Sequence, residues 1–231
     1  MIDIHTHILY GVDDGAKNIE TSIQMLQALS IEGIKKVVCT PHVAPSRNFN
    51  HSKKHIEDRF DMLKNSCKEQ GIDMDLFLGA EVDENDQLHD IISQGFTLNQ
   101  SKYVLIDFGM RQSDICEIIY ELNVLGYQTI VAHPERYKHL SLMQLTDIKK
   151  EGALFQVTAN NLIRPKCRKT KKRAKWLLKT DMIDVIASDT HVVDHTQSMR
   201  KAYHLIARKK GEVTAKKLFI DNPNMILGLK E

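Results

Sequence analysis

The chain has 231 residues, of which 42% are hydrophobic, 27% charged and only 6% aromatic, a balance suited to one globular domain with a substantial core. With 11 Gly, 5 Pro and no fixed period, low-complexity and collagen-like architectures are excluded, and a formal net charge of +2 gives no overall pull toward nucleic acid or membrane. The apolar runs are about six residues long, against the roughly 20 that span a bilayer.

In chain order, runs rich in Val, Ile, Leu and Phe at residues 2–5, 36–40, 75–79, 103–107, 129–132, 154–158 and 184–187 read as strands covered on both faces. Met1 leads straight into the first, so no signal peptide is expected. Segments of helical period separate the runs at 21–32, 51–69, 113–125, 141–151 and 173–179. The first three of these are followed by Gly33, Gly71 and Gly126 as stop signals. Only helix follows the last run, over 197–210 and 213–220. Seven strand–helix repeats predict an α/β fold with a parallel β/α barrel, or failing that an open doubly wound sheet. No Ser/Gly/Pro linker breaks the alternation, so residues 1–231 read as one domain. The cysteines, Cys39, Cys67, Cys116 and Cys167, lie far apart without a CxxC pair, which suits a reduced, cytoplasmic setting.

Eleven histidines stand out, and several sit at strand ends. His5 and His7 close the first run, His42 lies just past the second and Glu81 past the third. Asp107 ends the fourth, His133 follows the fifth, and Asp189 and His191 follow the seventh. The C-terminal ends of barrel strands converge on one face, where chemistry is built. Residues scattered over the sequence would therefore gather in one bowl, with Asp13 and Asp14 near by in the first loop. Imidazole together with carboxylate suits Mn, Fe or Zn, and several carboxylates free to bridge suit more than one ion. In His5-Thr6-His7 the two imidazoles at i and i+2 point the same way and can reach one metal.

Two weaker features lie in one stretch. Cys167 and Arg173 have the Cys-x5-Arg spacing of cysteine-dependent phosphatases, but that loop wraps backbone amides around a phosphate, usually with glycine, and none is present here. A solvated basic loop opening a helix accounts better for residues 166–175, which carry seven Lys or Arg in ten positions. No aromatic residues interleave with it, so nucleic acid is not the expected partner. Trp176 follows and is expected to pack a helix onto the barrel. His51, His55, His89, His139 and His204 lie away from strand ends and read as surface residues.

Asp3-Ile4-His5-Thr6-His7, Thr40-Pro41-His42, Gly79-Ala80-Glu81, Ala132-His133-Pro134-Glu135-Arg136 and Ser188-Asp189-Thr190-His191 resemble the motifs of the PHP superfamily (polymerase and histidinol phosphatase). More narrowly, residues 5–15 and 133–137 are similar to the bacterial manganese-dependent protein-tyrosine phosphatases encoded with capsule and exopolysaccharide genes. The resemblance runs nearly end to end. It implies a distorted (β/α)7 TIM-like barrel holding three divalent metal ions, Mn first, with Fe, Zn or Mg as alternatives. By position, His5, His7, Glu81 and Asp189 would hold the first ion, and Glu81 would bridge to a second held also by Asp107 and His133. Asp14, His42 and His191 would hold the third. Relatives usually carry Glu where Asp107 stands, which implies a looser or shifted second site. Arg136 matches an arginine associated with the phosphate, and Asp14 counts with it in the catalytic set. A second such arginine is expected near Thr196; the nearest one present is Arg200, so either Arg200 substitutes or the contact is lost.

The resemblance further implies hydrolysis of a phosphate monoester without a nucleophilic side chain, with leaving-group protonation by bound water, Asp13 or His195. The implied substrate is phosphotyrosine in the tail of a bacterial tyrosine autokinase, which is cytoplasmic. An acidic tail would be drawn to the basic stretch 166–175, although that stretch equally serves solubility. Homo-oligomers occur among relatives. The competing readings are a small-molecule phosphatase of the histidinol-phosphatase type, a 3′–5′ exonuclease and a non-catalytic metal-binding regulatory module.

Overall fold

The structure is a computed structural model, and it describes residues 1–111, 113–165, 167–193 and 198–229. Strands form where β-branched and large apolar residues cluster: β1 (Ile2–Thr6), β2 (Lys36–Cys39), β3 (His42–Val43), β4 (Asp75–Leu78), β5 (Glu81–Asp83), β6 (Tyr103–Asp107), β7 (Gln128–Ala132), β8 (Leu154–Thr158) and β9 (Val185–Ala187). Every pairing is parallel, in the orders β1-β2-β4 and β3-β5-β6-β7-β8-β9.

These strands fill seven positions. Pro41 has no N–H to give to a ladder, so β2 stops and the short β3 resumes at His42. β4 breaks in the same way at Gly79 and Ala80 before β5. Gly79 N donates to Cys39 O (2.9 Å) and Glu81 N to Pro41 O (3.1 Å), which carries the two strand lines across the break together. The ring returns to its start through a parallel bridge from Thr6 to Thr190. Asp189 N donates to His5 O and His7 N to Thr190 O, both at 2.9 Å. The result is the distorted (β/α)7 barrel expected.

The connecting helices are α1 (Ile19–Ile31), α2 (Lys53–Glu69), α3 (Leu88–Ser93), α4 (Ile115–Val124), α5 (Leu142–Lys150), α6 (Ala159–Ile163), α7 (Arg168–Lys179), α8 (Met199–Lys210), α9 (Glu212–Lys216) and α10 (Asn222–Ile226). Side-chain caps start several of them: Asn18, Ser52 and Asp114 accept from the first-turn amides, and Ser141 forms a capping box with Gln144. Two expectations need correction. The basic stretch is not a loop: α7 begins at Arg168 rather than at 173, because Thr170, Ala174, Leu177 and Leu178 make a buried stripe that leaves the cations outside. The helix expected over 213–220 is α9, a π-helical turn over Lys217–Asp221, and then α10. The short α3 and α6 are too brief to show a period. Among the described residues no helix is long and apolar enough to cross a membrane.

The core has two parts. One lies between strands and helices and includes Val37, Val104, Ile106, Val131, Phe155, Val157 and Ile186. The other fills the barrel interior with Ile2, Ile4, Val38, Leu105, Ile130, Ala132, Val185 and Ala187, and α10 joins it through Ile226 and Leu227. Asn222 Nδ2 donates to Asp184 O (2.6 Å), and Asn99 Nδ2 donates to Leu227 O (2.9 Å), so the C-terminal segment plugs the end where the strands begin. The other end, where they finish, stays open for polar residues.

Phe155 is completely buried. Phe155→Ala is expected to cost about 3–5 kcal/mol, read as a lower urea midpoint with an unchanged denaturant slope.

Candidate metal centre

His5 on β1, His42 on β3, Glu81 on β5 and Asp107 on β6 lie at the C-terminal ends of their strand lines, and His7, His133, Asp189 and His191 immediately follow strands. Simple alternation would place Ile2 and Ile4 on the opposite face of β1 from His5. A register shift between Asp3 and Thr6 relieves that conflict, so the two isoleucines fill the barrel while His5 also turns inward, onto Gln156.

Glu81 is the hub. Its Oε2 lies 3.2 Å from His5 Nε2, 3.3 Å from His7 Nε2 and 3.0 Å from His42 Nδ1, and its Oε1 lies 2.8 Å from His133 Nε2. Asp189 Oδ1 is 3.5 Å from Nε2 of both His5 and His7 and 3.6 Å from His191 Nδ1. Asp14 Oδ1 stands 3.6 Å from His42 Nε2 and 3.5 Å from His191 Nε2. Among the described residues three groups emerge whose donor atoms lie within 4.8 Å of one another: His5, His7 and Glu81; Glu81, Asp107 and His133; and His7, Asp14, His42 and His191. His7 is thus shared between two groups. Asp107 is the loosest member, with its Oδ2 4.0 Å from His133 Nε2, and Asp189, whose Oδ2 pairs with Arg136, belongs to none of the three groups.

Does this donor set fit divalent cations? Glu81 Oε2, Asp189 Oδ1 and His42 Nδ1 are buried without a hydrogen-bond partner, an arrangement that is costly unless positive charge faces it. The surrounding residues present the ring nitrogens for coordination. His5 Nδ1 donates to Gln156 Oε1 (2.9 Å), His7 Nδ1 to Asp13 Oδ2 (2.8 Å) and His191 Nδ1 to the Asp189 carbonyl (3.2 Å), which leaves each Nε2 free. Tyr137 OH donates to Asp107 Oδ1 (3.0 Å), leaving Oδ2 to the group. Burial works against the charges on Glu81 and Asp189, yet the imidazoles, joined at Asp189 by Arg136, hold both well below the usual carboxylate range. The set fits.

Asp13 is an orienting acceptor. Burial alone would raise its pKa, but the bond from His7 and the amides of Gly15 and His42 bring it down to about 2. It is therefore ionised near neutral pH; His195, the other side chain considered for leaving-group protonation, lies outside the described residues. Gly15 is obligatory, because a Cβ there would sit 2.0 Å from His7 O. His133 (φ 35°) and Asp189 (φ 52°) both adopt left-handed backbone, a conformation that costs on the order of 1–3 kcal/mol each.

Arg136 stands beside Asp189 at the centre. It pairs with Asp189 Oδ2, donates to Thr158 Oγ1 (3.3 Å), and its side chain stays 42% exposed toward the bowl. Arg200 does not reach it, which corrects the expectation that it supplies the second arginine. Its guanidinium donates to the carbonyls of Ile31 and Glu32 at the end of α1, and it lines a cavity with Met1, at the start of β1 rather than at its end. The expected position, Thr196, lies outside the described residues. The sequence reading missed Arg47. Its Nη2 donates to Asp14 Oδ2 (3.1 Å), its Nη1 stands 3.3 Å from His42 Nε2, and its side chain is 39% exposed. Its only signal was a place five residues after His42. Gln156 and Asp83, whose Oδ1 is 3.6 Å from His42 Nδ1, were missed for lack of any motif.

Cys167 occupies the N-cap position of α7, where the nearby amides of Thr170 and Lys169 lower its thiol to about 7. Residues 168–173 are helical, so Cys167 and Arg173 are about 9 Å apart along the axis. Arg173 Nη1 donates to Leu140 O (2.8 Å) instead of sharing a phosphate with the thiol. The Cys-x5-Arg spacing is a coincidence of helix composition.

The profile of the family described as "Capsular polysaccharide synthesis, CpsB/CapC" matches residues 1–228. The tyrosine-protein phosphatase CpsB of Streptococcus pneumoniae is 34% identical, with 98% of each chain covered. The putative tyrosine-protein phosphatase CapC of Staphylococcus aureus is 30% identical over 98% of this chain and 91% of its own. Among solved structures, one from work on YwqE of Bacillus subtilis and CpsB of Streptococcus pneumoniae, described as metal-dependent tyrosine phosphatases, superposes with a TM-score of 0.90. It is 26% identical and covers 100% of this chain and 96% of that one.

Asp13→Asn is expected to lower metal affinity by about 10–100-fold, the usual effect of losing a partner behind a ligating histidine, as measured by metal titration. Cys167→Ser is expected to keep turnover of p-nitrophenyl phosphate within about twofold, since no step here needs a thiolate.

Proposed function

The chain belongs to the CpsB/CapC family of capsular polysaccharide synthesis, and from that premise we propose that it is a metal-dependent phosphatase that hydrolyses phosphotyrosine on protein. One observation carries the reading: Glu81 stands within 3.3 Å of four imidazoles at the open end of the barrel, with the Arg136 guanidinium beside it on Asp189. We assign His5, His7, Glu81 and Asp189 to a first ion, Glu81, Asp107 and His133 to a second, and Asp14, His42 and His191 to a third. Manganese suits this mixture of imidazole and carboxylate, as do Fe and Zn. Such ions supply Lewis acidity and ionise water near neutral pH.

The chain's own residues do the rest. Glu81 spans the first two groups with its two oxygens and fixes their spacing. Gln156, Asp13 and the Asp189 carbonyl hold three imidazoles in the tautomer that offers Nε2. Arg136 presents a permanently charged, planar donor to phosphate oxygens. Arg47 presents another from the opposite side of the ring, beside Asp14 and His42, and takes the role expected of Arg200. Donors fixed before the reaction around a developing negative charge are where most of the catalysis arises. No side-chain nucleophile is needed, so no covalent phosphoenzyme forms.

The protein substrate we propose is a tyrosine kinase of the capsule or exopolysaccharide system, dephosphorylated in the cytoplasm by a single-domain enzyme. All four cysteines are free, which suits a reducing compartment.

A panel of phosphotyrosine peptide, histidinol phosphate and single-stranded DNA tests this reading. The peptide is expected to be the preferred substrate, and preference for either of the others would refute it. His5→Ala and Glu81→Ala are expected to abolish turnover and lower bound metal together. Arg136→Ala is expected to retain metal and lose about 10²–10³ in kcat, the range for removing one fixed donor at developing charge. A chelator should inactivate the wild type and Mn²⁺ should restore it.

A further inference from the structure

Hydrolysis at the metal centre needs only a phosphate and its leaving oxygen, yet one cavity opens from it and a second adjoins the first. The first, about 380 Å³, is lined by Arg136 and Asp189 at the centre and by Lys138, Asn161, Cys167 and Thr170 further out. The second, about 270 Å³, is lined by Lys138, Leu142, Lys169, Lys172, Arg173 and Trp176. Lys138 lines both, so the two are neighbours.

The second cavity joins two chemistries. Trp176 and Leu142 offer apolar surface, and four cations stand around them without an acidic residue in the lining. Arg173 is turned into the protein, with Nη1 on Leu140 O and Nε and Nη2 buried, so the cations open to a ligand are Lys138, Lys169 and Lys172. Ala174, Leu177 and Leu178 anchor the opposite face of α7 in the core, which fixes the backbone that carries these cations. A group that is flat, apolar and anionic in one piece satisfies all of these walls: an aryl phosphate. A lone carboxylate would leave the indole and Leu142 unused. A nucleic acid strand wants a series of aromatic platforms, and this chain has a single Trp. The volume falls just below the roughly 300–1,000 Å³ of pockets that take whole small molecules, a size suited to one side chain. No His, Asp or Glu lines it, so it can bind a phosphate but cannot assemble the metal set that hydrolyses one.

We infer that the Lys138–Trp176 cavity is a subsite for a second phosphotyrosine of the same peptide, held while the first is hydrolysed at the metal centre. The inference rests on the phosphotyrosine reading above and deepens it. Linking two modest contacts on one chain raises affinity through effective concentration, so a multiply phosphorylated peptide is retained between turnovers while a singly phosphorylated one is not.

The only tryptophan of the chain lies in the subsite, so its fluorescence reports occupancy without turnover. The Mn-loaded protein is titrated with peptides carrying one or two phosphonodifluoromethyl-phenylalanines, which are not hydrolysed. The doubly substituted peptide is expected to bind at least tenfold tighter and to change Trp176 emission, the singly substituted one to leave it unchanged. In Lys169→Ala/Lys172→Ala, both exposed positions, that preference is expected to vanish while kcat/KM for p-nitrophenyl phosphate stays unchanged. Equal affinity for the two peptides, a preference that survives the double substitution, or tighter capture of a single-stranded oligonucleotide than of the doubly substituted peptide would overturn the subsite. If the wild type fails to hydrolyse p-nitrophenyl phosphate, the phosphatase reading falls, and the fluorescence comparison still decides the subsite on its own.

Discussion

The structure depends on one electrostatic constraint: two buried carboxylates, Glu81 and Asp189, placed among imidazoles at the mouth of the barrel. Removing an ionised carboxylate from water is expensive, and only close positive charge in good geometry offsets it. Glu81 is fully buried and has neighbours on three sides, from β1, β3 and the turn after β7. Strand ends from opposite parts of the ring must therefore meet within about 3 Å, and the parallel barrel is the scaffold that brings them there. A cluster of this kind resists removal of one partner, since the remaining charge is left unpaired.

Local backbone shape provides the accuracy that regular strands do not. The register shift in β1 lets isoleucine and histidine both face inward, where strict alternation would expel one of them. His133 and Asp189 leave their strands through left-handed residues, which turns each side chain back over the bowl. Gly15 lets the first loop lie against His7 so closely that no side chain fits, and that contact brings Asp13 to the ring it orients. Such backbone strain is tolerated because the surrounding core over-determines it, with Phe155, Val157 and Ile186 packed behind the strands that carry the site.

Much of this was legible in the sequence, for a physical reason. Strands buried on both faces write continuous apolar runs, and polar residues that end those runs must lie at the rim; His5, Glu81, His133 and Asp189 were all found that way. What escaped notice does not write a pattern. β3 and β5 are two and three residues long, below any period. The start of α7 was hidden because its cationic residues look like a loop, although Thr170 and Ala174 already mark the buried stripe. Arg200 was assigned by nearness in sequence to His191, but the chain carries it away to the carbonyls at the end of α1. Arg47 and Gln156 meet the centre only through the closing of the ring, a relation between distant segments that neither composition nor spacing records.

The two ends of the barrel divide the work. α10 and the C-terminal residues seal the end where the strands begin with apolar contacts, so stability does not have to be built at the end that carries charge. On the phosphatase reading, chemistry at the open end needs only the phosphate oxygens and the ions that the carboxylates and imidazoles would hold. Selection of a protein substrate must then come from surfaces next to the centre, and the adjoining lining runs from Arg136 through Lys138 onto the cationic face of α7. That face is helical rather than a loop, which matters for recognition: side chains on a packed helix lose less freedom on binding than the same residues on a mobile segment. The start of α7 is thus of more consequence than an element boundary, since it puts the cations of residues 168–175 on a packed helix whose first turn lines the cavity that Arg136 enters.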